Sequence, residues 1–453
     1  MTTTTLPAPR RCAGPSAAPL LPVVGAGTLV PLATGGEVAH ANLDIAASAP
    51  ALSAVAERVA QVLPHYASVH RGAGYLSRVC TALFEQAREQ VGRFVGARPD
   101  DAVVFTRSTT DALDLLSRAV PAGGRVLVAD VEHHANLLPW QRSARTTVVP
   151  GGADLDATVE ALEAELATGR YALLAVTGAS NVTGEVLPLR RLVRAARAGG
   201  ARTAVDGAQL VPHRRVDLAA DGVDYLALSG HKLYAPFGAG ALVGRRDWLD
   251  ASEPYLAGGG ATLHVGVDAV RWAEGPERHE AGSPNVLGAV ALARACEEIA
   301  ALPAGALEAH EALLRERLVT GLLALPGVRV VRPHAADAVG VVTFTLPGHP
   351  SSAVAAYLSA EHGVGVRDGR FCAHRFADSL GLGDGALRAS TGVGTGTDDV
   401  DRLLHALERF LTEGPRLRYA VVDGAWGPVP DPRPDPAAFL RAGTPGTAGG
   451  VPA

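Results

Sequence analysis

The chain carries a single lysine, Lys232, among 41 basic side chains, and the other 40 are arginines. Arginine covers surfaces and pairs with carboxylates at least as well as lysine does. A guanidinium cannot replace a primary amine that must lose its proton and condense with an aldehyde. A lone lysine therefore suggests a place for amine chemistry, or is the accidental survivor of an arginine-rich composition, and its neighbours decide between the two. Its surroundings, SGHKLYAPFGAGAL (229–242), are small and hydroxylated, with Ser229 and Gly230 before it and Gly238 and Gly240 after. The segment follows the apolar run VDYLAL, at the carboxyl edge where open α/β sheets place their ligands. Ser229 and His231 can bond a phosphate there while Lys232 reaches an aldehyde.

Three further segments offer matching chemistry. VDGAQ (205–209) puts Asp206 at a strand end. A cofactor with a pyridine ring needs a carboxylate at its ring nitrogen, because the protonated ring is the electron sink. Gln209 is then placed to donate to the phenolic oxygen of such a ring, although an aspartate after a strand also serves as a plain turn residue. FTRSTTDALDLL (105–116) reads as strand, polar loop and helix. Thr109 and Thr110 bring hydroxyls and free backbone N–H groups to the helix start, which suits a phosphate as well as a helix cap. EHHANLLPW (132–140) offers an imidazole to stack on a flat ring and move protons, although a histidine pair at a strand end is more often structural. No acidic or cysteine partner stands at zinc spacing, so no metal is expected.

The elements that must position these groups alternate. AVVF (102–105), RVLVAD, YALLAVTG, RTAVDGA, VDYLALSG and GALVG (240–244) read as short buried strands. Amphipathic stretches such as LDATVEALEAELATG and PLRRLVRAARAGG lie between them, the latter closing on glycine. Such alternation predicts an α/β fold, a mostly parallel sheet between helices. Beyond about residue 290 the order changes. A helical region (287–324), VRVV, VGVVTFTL, a helix near 351–362, VGVRDG and a last helix at DDVDRLLHALERFL predict a smaller α+β domain. The division expected is a flexible leader over 1–35, a large domain over 36–290, a small domain over 291–415 and a Pro/Gly-rich tail over 416–453.

Composition narrows the function classes. With 47% apolar and 19% charged residues, 453 residues bury a sizeable core. A net charge of −5 argues against nucleic acid and anionic membrane as partners. No apolar run reaches the ~18 residues of a membrane span. The N-terminal segment is broken by prolines that a secretory signal avoids. Cys12, Cys80, Cys296 and Cys372 lie far apart without a CxxC pair, which fits free thiols in a reducing cytoplasm.

Together the motifs resemble the class V aminotransferase family of fold-type I enzymes that use pyridoxal 5'-phosphate. They are most similar to its SufS-type cysteine desulfurase and selenocysteine lyase branch. The similarity runs from ANLDIAASAP (41–50) to the helix ending near Phe410 and includes SVHRG, EHHAN, SNVTGEVLP, VDGAQ, SGHKLYAPFGAG, GGG (258–260), EAGSPN and LRAS. The resemblance implies that Lys232 holds the cofactor as a Schiff base, His133 stacks on its ring, Asp206 pairs with the ring nitrogen and Gln209 with the ring oxygen. Thr109, Thr110, Ser229 and His231 would hold the phosphate, with Ser283 lent across a homodimer interface. Arg388 and Asn181 would bind the carboxylate of a small amino-acid substrate, an arginine fork meeting both oxygens.

VRDGRFCAHRF (366–376) resembles the loop with the family's sulfur-accepting cysteine, Arg367 and Cys372 standing at matching spacing. A thiolate there leaves as a persulfide and frees alanine, and Arg367, Arg370, His374 and Arg375 supply a cationic neighbourhood for it. A sulfur-acceptor protein is a possible partner, which the sequence itself does not reveal. Some positions depart from the family pattern: Phe371 replaces a histidine, Arg375 a proline, Gly74 a histidine, Ile45 a serine or asparagine, and His279 a phenylalanine. These changes are expected around the substrate more than the cofactor. They leave two alternatives: a C–S or C–Se lyase on another amino acid, and a catalytically silent cofactor-binding partner protein.

Overall fold

The computed structural model describes residues 15–70, 72–142, 145–332 and 334–436. Seven strands form the main sheet: β1 (Asp101–Thr106), β2 (Val126–Ala129), β3 (Thr146–Val149), β4 (Leu173–Thr177), β5 (Arg202–Asp206), β6 (Tyr225–Ser229) and β7 (Gly240–Arg245). Their order is β1-β7-β6-β5-β4-β2-β3. Only β7 runs against its neighbours; the pairs from β6 to β3 are all parallel. Strands β4 and β6 are buried over their whole length, as central strands covered on both faces must be.

Successive strand residues feed two separate cores. Leu174 and Val176 pack with Val205 and Leu228 on one face, joined by Val159 and Leu192 of the covering helices. Leu173 and Ala175 pack with Ala204 and Ala227 on the other, against Leu113 and Leu116 of helix α1 (Thr109–Ala119). This two-sided cover is the α/β architecture that the alternating pattern predicts. Strand β3 escaped the sequence reading because it lies at the sheet edge and buries only Val149.

A second, antiparallel sheet holds β8 (Arg329–Val330), β9 (Val341–Thr345), β10 (Arg367–Gly369) and β11 (Ala386–Ser390) in the order β8-β9-β11-β10. Leu318, Leu358 and Leu403, from three helices, close its core. The expected helical region 287–324 is two helices, Val286–Ala300 and Ala306–Ala324, interrupted at Pro303 and at Gly305, whose φ is 79°. The first packs on the large sheet through Leu292 and Ile299, so a division at 290 falls inside it. Ala41 and Leu43, far earlier in the chain, join the second core, and Ala41–Asn42 pairs with Val364–Gly365.

Both termini are more ordered than their composition suggests. Residues 15–35 are no loose leader: Leu20 N–H donates to Val393 O (2.7 Å), Leu20, Leu21 and Val23 pack on the large core, and Leu29–Pro31 pairs with Glu37–Ala39. The tail forms a hairpin, Tyr419–Val422 with Ala425–Pro428. It is fastened by the buried Glu361, which accepts from the N–H groups of Arg416 and Leu417 and from Tyr419 Oη. Proline and glycine masked the apolar anchors in both segments. Residues 1–14, with Cys12, Arg71 of the SVHRG motif and the GTPGTAGG end lie outside the described residues. Among the described residues no helix is long and apolar enough to cross a membrane.

Candidate active site

The carboxyl ends of β4, β5 and β6, the start of α1, the first residue of β10 and the middle of β11 open onto one cavity of about 390 Å³. Thr109, Thr110, His133, Asn181, Asp206, Gln209, Ser229, His231, Lys232, Arg367, Cys372 and Arg388 all line it. Of the residues expected to catalyse or to hold cofactor or substrate, Ser283 alone does not, standing on an exposed loop between Glu280 and the helix at Val286. Among the described residues no group of three or more His, Cys, Asp or Glu is placed to hold a metal ion.

One end of the cavity is built from polar groups around a helix start. Ser108 caps α1 by accepting from Asp111 N–H (3.5 Å). Thr109 N–H donates to Ser229 Oγ (2.7 Å), whose hydroxyl donates to Thr109 Oγ1 (2.9 Å). These bonds fasten the end of β6 to the start of α1, where N–H groups and the helix dipole favour an anion. His231 Nδ1 stands 3.4 Å from Ser48 Oγ, a neighbour the sequence reading did not name. Burial, then Lys232, lowers the proton affinity of His231.

Lys232 follows directly. Burial pulls its amine down to about 8; Asp206 opposes that shift, Arg388 adds to it and Cys372 opposes it. Asp206 is buried and accepts from Ala208 N–H (2.9 Å). Burial raises its proton affinity, against the Ala208 bond and Lys232. His133 Nδ1 accepts from Ala135 N–H (3.0 Å), which leaves the ring proton on Nε2. Burial, with Lys232, His134 and Arg388, drives the His133 pKa down to about 3, so the ring is neutral at pH 7. Gln209 Nε2 donates to Ala46 O (2.7 Å), committing one of its two hydrogens away from any ring oxygen.

The other end of the cavity is cationic. Arg367 and Arg388 face each other across β10 and β11 in register. The buried Arg388 donates from Nη1 to Asn181 O (3.0 Å) and from Nη2 to Asp44 Oδ1 (3.3 Å). Asp44, from the ANLDIAASAP motif, was not picked out from the sequence, because a carboxylate serving an arginine carries no spacing signal. Asn181 Nδ2 donates to Phe371 O (2.7 Å), so one hydrogen of the amide expected to meet substrate fastens a loop.

That loop presents Cys372. Phe371 (φ 54°) and Cys372 (φ 53°) are both in the left-handed region, which costs a non-glycine residue about 1–3 kcal/mol. Three contacts hold them there: the Asn181 bond, His134 N–H to Cys372 O (2.8 Å), and the Phe371 ring 5.2 Å from the Arg388 guanidinium. Cys372 is exposed at the cavity, whereas Cys80 and Cys296 are buried. Of the departures from the family pattern, Phe371 lines the cavity and Ile45 is buried beside it in sequence. Gly74 starts the helix Tyr75–Phe94, and His279 is buried against Leu249 O (3.1 Å) and Tyr255 N–H (3.2 Å). Those two changes do not line the cavity.

A phosphate-bearing pyridine aldehyde fits these residues. Arg388 Nε and Gln209 Oε1 are buried polar atoms with no hydrogen-bond partner among the described residues, and both residues line the cavity. Polar hydroxyls and a helix start lie at one end, a buried carboxylate in the floor and an amine between them.

Fold and site define a class of α/β enzyme with a buried lysine in its cavity, and the comparisons narrow it. The sequence model of the family described as aminotransferase class-V matches residues 41–403, so the chain belongs to that family. A cysteine desulfurase of Dickeya dadantii (strain 3937) is 37% identical over 82% of this chain and 93% of its own length. A probable cysteine desulfurase of Vibrio cholerae is 35% identical over 77% of this chain and 87% of its own. Among solved structures, a cysteine desulfurase from Thermococcus onnurineus NA1 superposes with a TM-score of 0.76 at 33% identity, covering 82% of this chain and 94% of that one. One from Escherichia coli gives 0.73 at 33% identity with the same coverage.

Proposed function

We propose that this protein is a pyridoxal 5'-phosphate-dependent cysteine desulfurase that moves sulfur from L-cysteine to Cys372. The observation that carries the reading is one cavity where Lys232, Asp206, His133 and Arg388 converge on an exposed cysteine held in a strained loop. The α1 start with Ser229, Thr109, Thr110 and His231 would hold the phosphate, and Lys232 the aldehyde carbon. Asp206 would hold the ring-nitrogen proton and Gln209 the ring oxygen. When bound, the cofactor supplies an electron sink for the charge left on the substrate α-carbon.

The chain's own groups do the rest. Arg388 offers its unpartnered Nε, and Arg367 its charge, to the substrate carboxylate, which orients the side-chain sulfur toward Cys372. The Lys232 amine, about half neutral at pH 8 and mostly neutral above it, takes the α-proton. His133, neutral with its proton on Nε2, covers the ring without adding charge. Cys372 Sγ then attacks the substrate sulfur. The Sγ–S bond forms, the Cβ–S bond breaks, and its electron pair stays on the substrate β-carbon, which takes the proton given up by the Cys372 thiol and becomes the methyl of alanine, while Lys232 returns its proton to the α-carbon. Cysteine and thiol thus become alanine and persulfide without an external oxidant.

A second copy of the chain is part of the reading, because Ser283 lies on an exposed loop outside the cavity. The hairpin Thr262–Val265 and Val270–Trp272 leaves Leu263, Val265 and Val267 in solvent, an apolar surface suited to an interface. An acceptor protein in the cytoplasm would receive the sulfur. The test is to incubate the enzyme with L-cysteine without reductant and map the products by peptide mass spectrometry. One added sulfur on the Cys372 peptide is the expected result; sulfur on Cys80, on Cys296 or on no peptide contradicts it.

A further inference from the structure

A buried carboxyl lies beneath the site and has no part in the chemistry above. Glu132 directly precedes His133 and is 1% exposed. Both its oxygens accept hydrogen bonds, Oε1 from Thr177 N–H (3.0 Å) and Oε2 from Asn136 Nδ2 (2.7 Å). Asn136 is held on its other side by Trp140, whose Nε1 donates to Asn136 Oδ1 (3.0 Å). An indole N–H only donates, so the Asn136 amide must turn its oxygen to Trp140 and its nitrogen to Glu132. The direction of every bond in the chain from Trp140 through Asn136 to Glu132 is therefore fixed. All of these side chains are buried.

The place of this chain in the fold gives it a consequence. Thr177 is the last residue of β4, and its register partner on β5 is Asp206. Glu132 thus ties the turn that carries His133 to the strand end beside Asp206. Burial pushes the Glu132 carboxyl up to about 8, against its two bonds, and Asp206 adds to the rise, which marks the two carboxyl groups as neighbours. We propose that Glu132 is a positioning residue for the cofactor ring: its two acceptor bonds lock the His133 turn to the Asp206 strand end, so that both groups meet the ring together. This rests on the cofactor reading of Lys232 and Asp206, which the visible absorbance of the wild-type holoenzyme tests separately.

The direction of the bonds supplies a test by loss and repair. Glu132→Gln sets an amide N–H2 against Asn136 Nδ2, and Trp140 prevents Asn136 from turning. Combining Glu132→Gln with Asn136→Asp repairs the pattern, because the introduced carboxylate accepts from both the glutamine amide and Trp140. The readouts are the rate at which each holoenzyme releases its cofactor, followed by visible absorbance, and the pH midpoint of that absorbance. Circular dichroism melts monitor folding. A buried donor left unsatisfied costs about fivefold to 150-fold in an equilibrium, the equivalent of about 1–3 kcal/mol. Glu132→Gln is expected to release the cofactor about tenfold faster with a displaced midpoint, and the double variant to return to within about threefold of wild type. Release and midpoint unchanged in Glu132→Gln, a double variant no slower than the single one, or one that does not fold would each overturn the proposal.

Discussion

Burial holds the Lys232 amine at about 8 before any cofactor is bound, and only a neutral amine condenses with an aldehyde. Its pKa is below the ordinary lysine value of about 10.4, so the neutral form is already plentiful at pH 8. Below pH 8 the neutral fraction falls about tenfold per pH unit. The rate at which stripped protein regains visible absorbance from added cofactor should therefore climb from pH 6 to 8 and level off above. A climb that continues to pH 10 would mean an ordinary lysine and a less desolvated site. The same scale shows what sequence can hide. Lys232 stands out by being the chain's only lysine, and Asp206 by its strand-end motif. Asp44, Ser48 and Glu132 act on Arg388, His231 and the His133 turn from places distant in sequence or buried, with residue types common in any protein.

Elements set where those residues meet. The antiparallel strand β7 lies between β1 and β6, and its first residue, Gly240, is pressed against the start of α1. A Cβ there would stand 2.5 Å from Leu228 O and 2.9 Å from Ser108 Cα. Gly240→Ala should displace the helix start, lower stability by about 1–3 kcal/mol and weaken cofactor retention together, read by thermal melting and absorbance after gel filtration. Retention unchanged despite a lower melting point would separate the helix start from the phosphate site. Strands β1, β2, β4, β5, β6 and β7 were legible because short apolar runs alternate with amphipathic helices. The edge strand β3 and the hairpin at Thr262–Trp272 bury too little to leave that signal. The Cys372 loop was legible as a resemblance only; its two left-handed residues and the fastening role of Asn181 depend on contacts from three separate elements.

At the scale of the molecule, the two sheets must keep their relation, since Lys232 comes from one and Arg388 and Cys372 from the other side of the cavity. A cluster centred on the buried Glu311 joins them: Glu311, on the helix Ala306–Ala324, pairs with the buried His213 and with the half-buried Arg214 (3.1 Å), and Arg214 also reaches the exposed Asp337 (2.9 Å). Removing one member of a buried ionic cluster typically costs about 3–5 kcal/mol. Glu311→Ala should lose that much in urea unfolding followed by circular dichroism; a loss under about 1 kcal/mol would place the joint elsewhere.

The central claim is the transfer of sulfur from cysteine to Cys372, and product analysis tests it most directly. Purified enzyme would be given L-cysteine and a reductant, and sulfide, alanine and pyruvate measured for wild type and Cys372→Ala. The account predicts alanine and sulfide in equal amounts from wild type, and a fall of about a hundredfold or more in the variant. Pyruvate as the main product, or a variant as active as wild type, would contradict it and point to a lyase that does not use this cysteine.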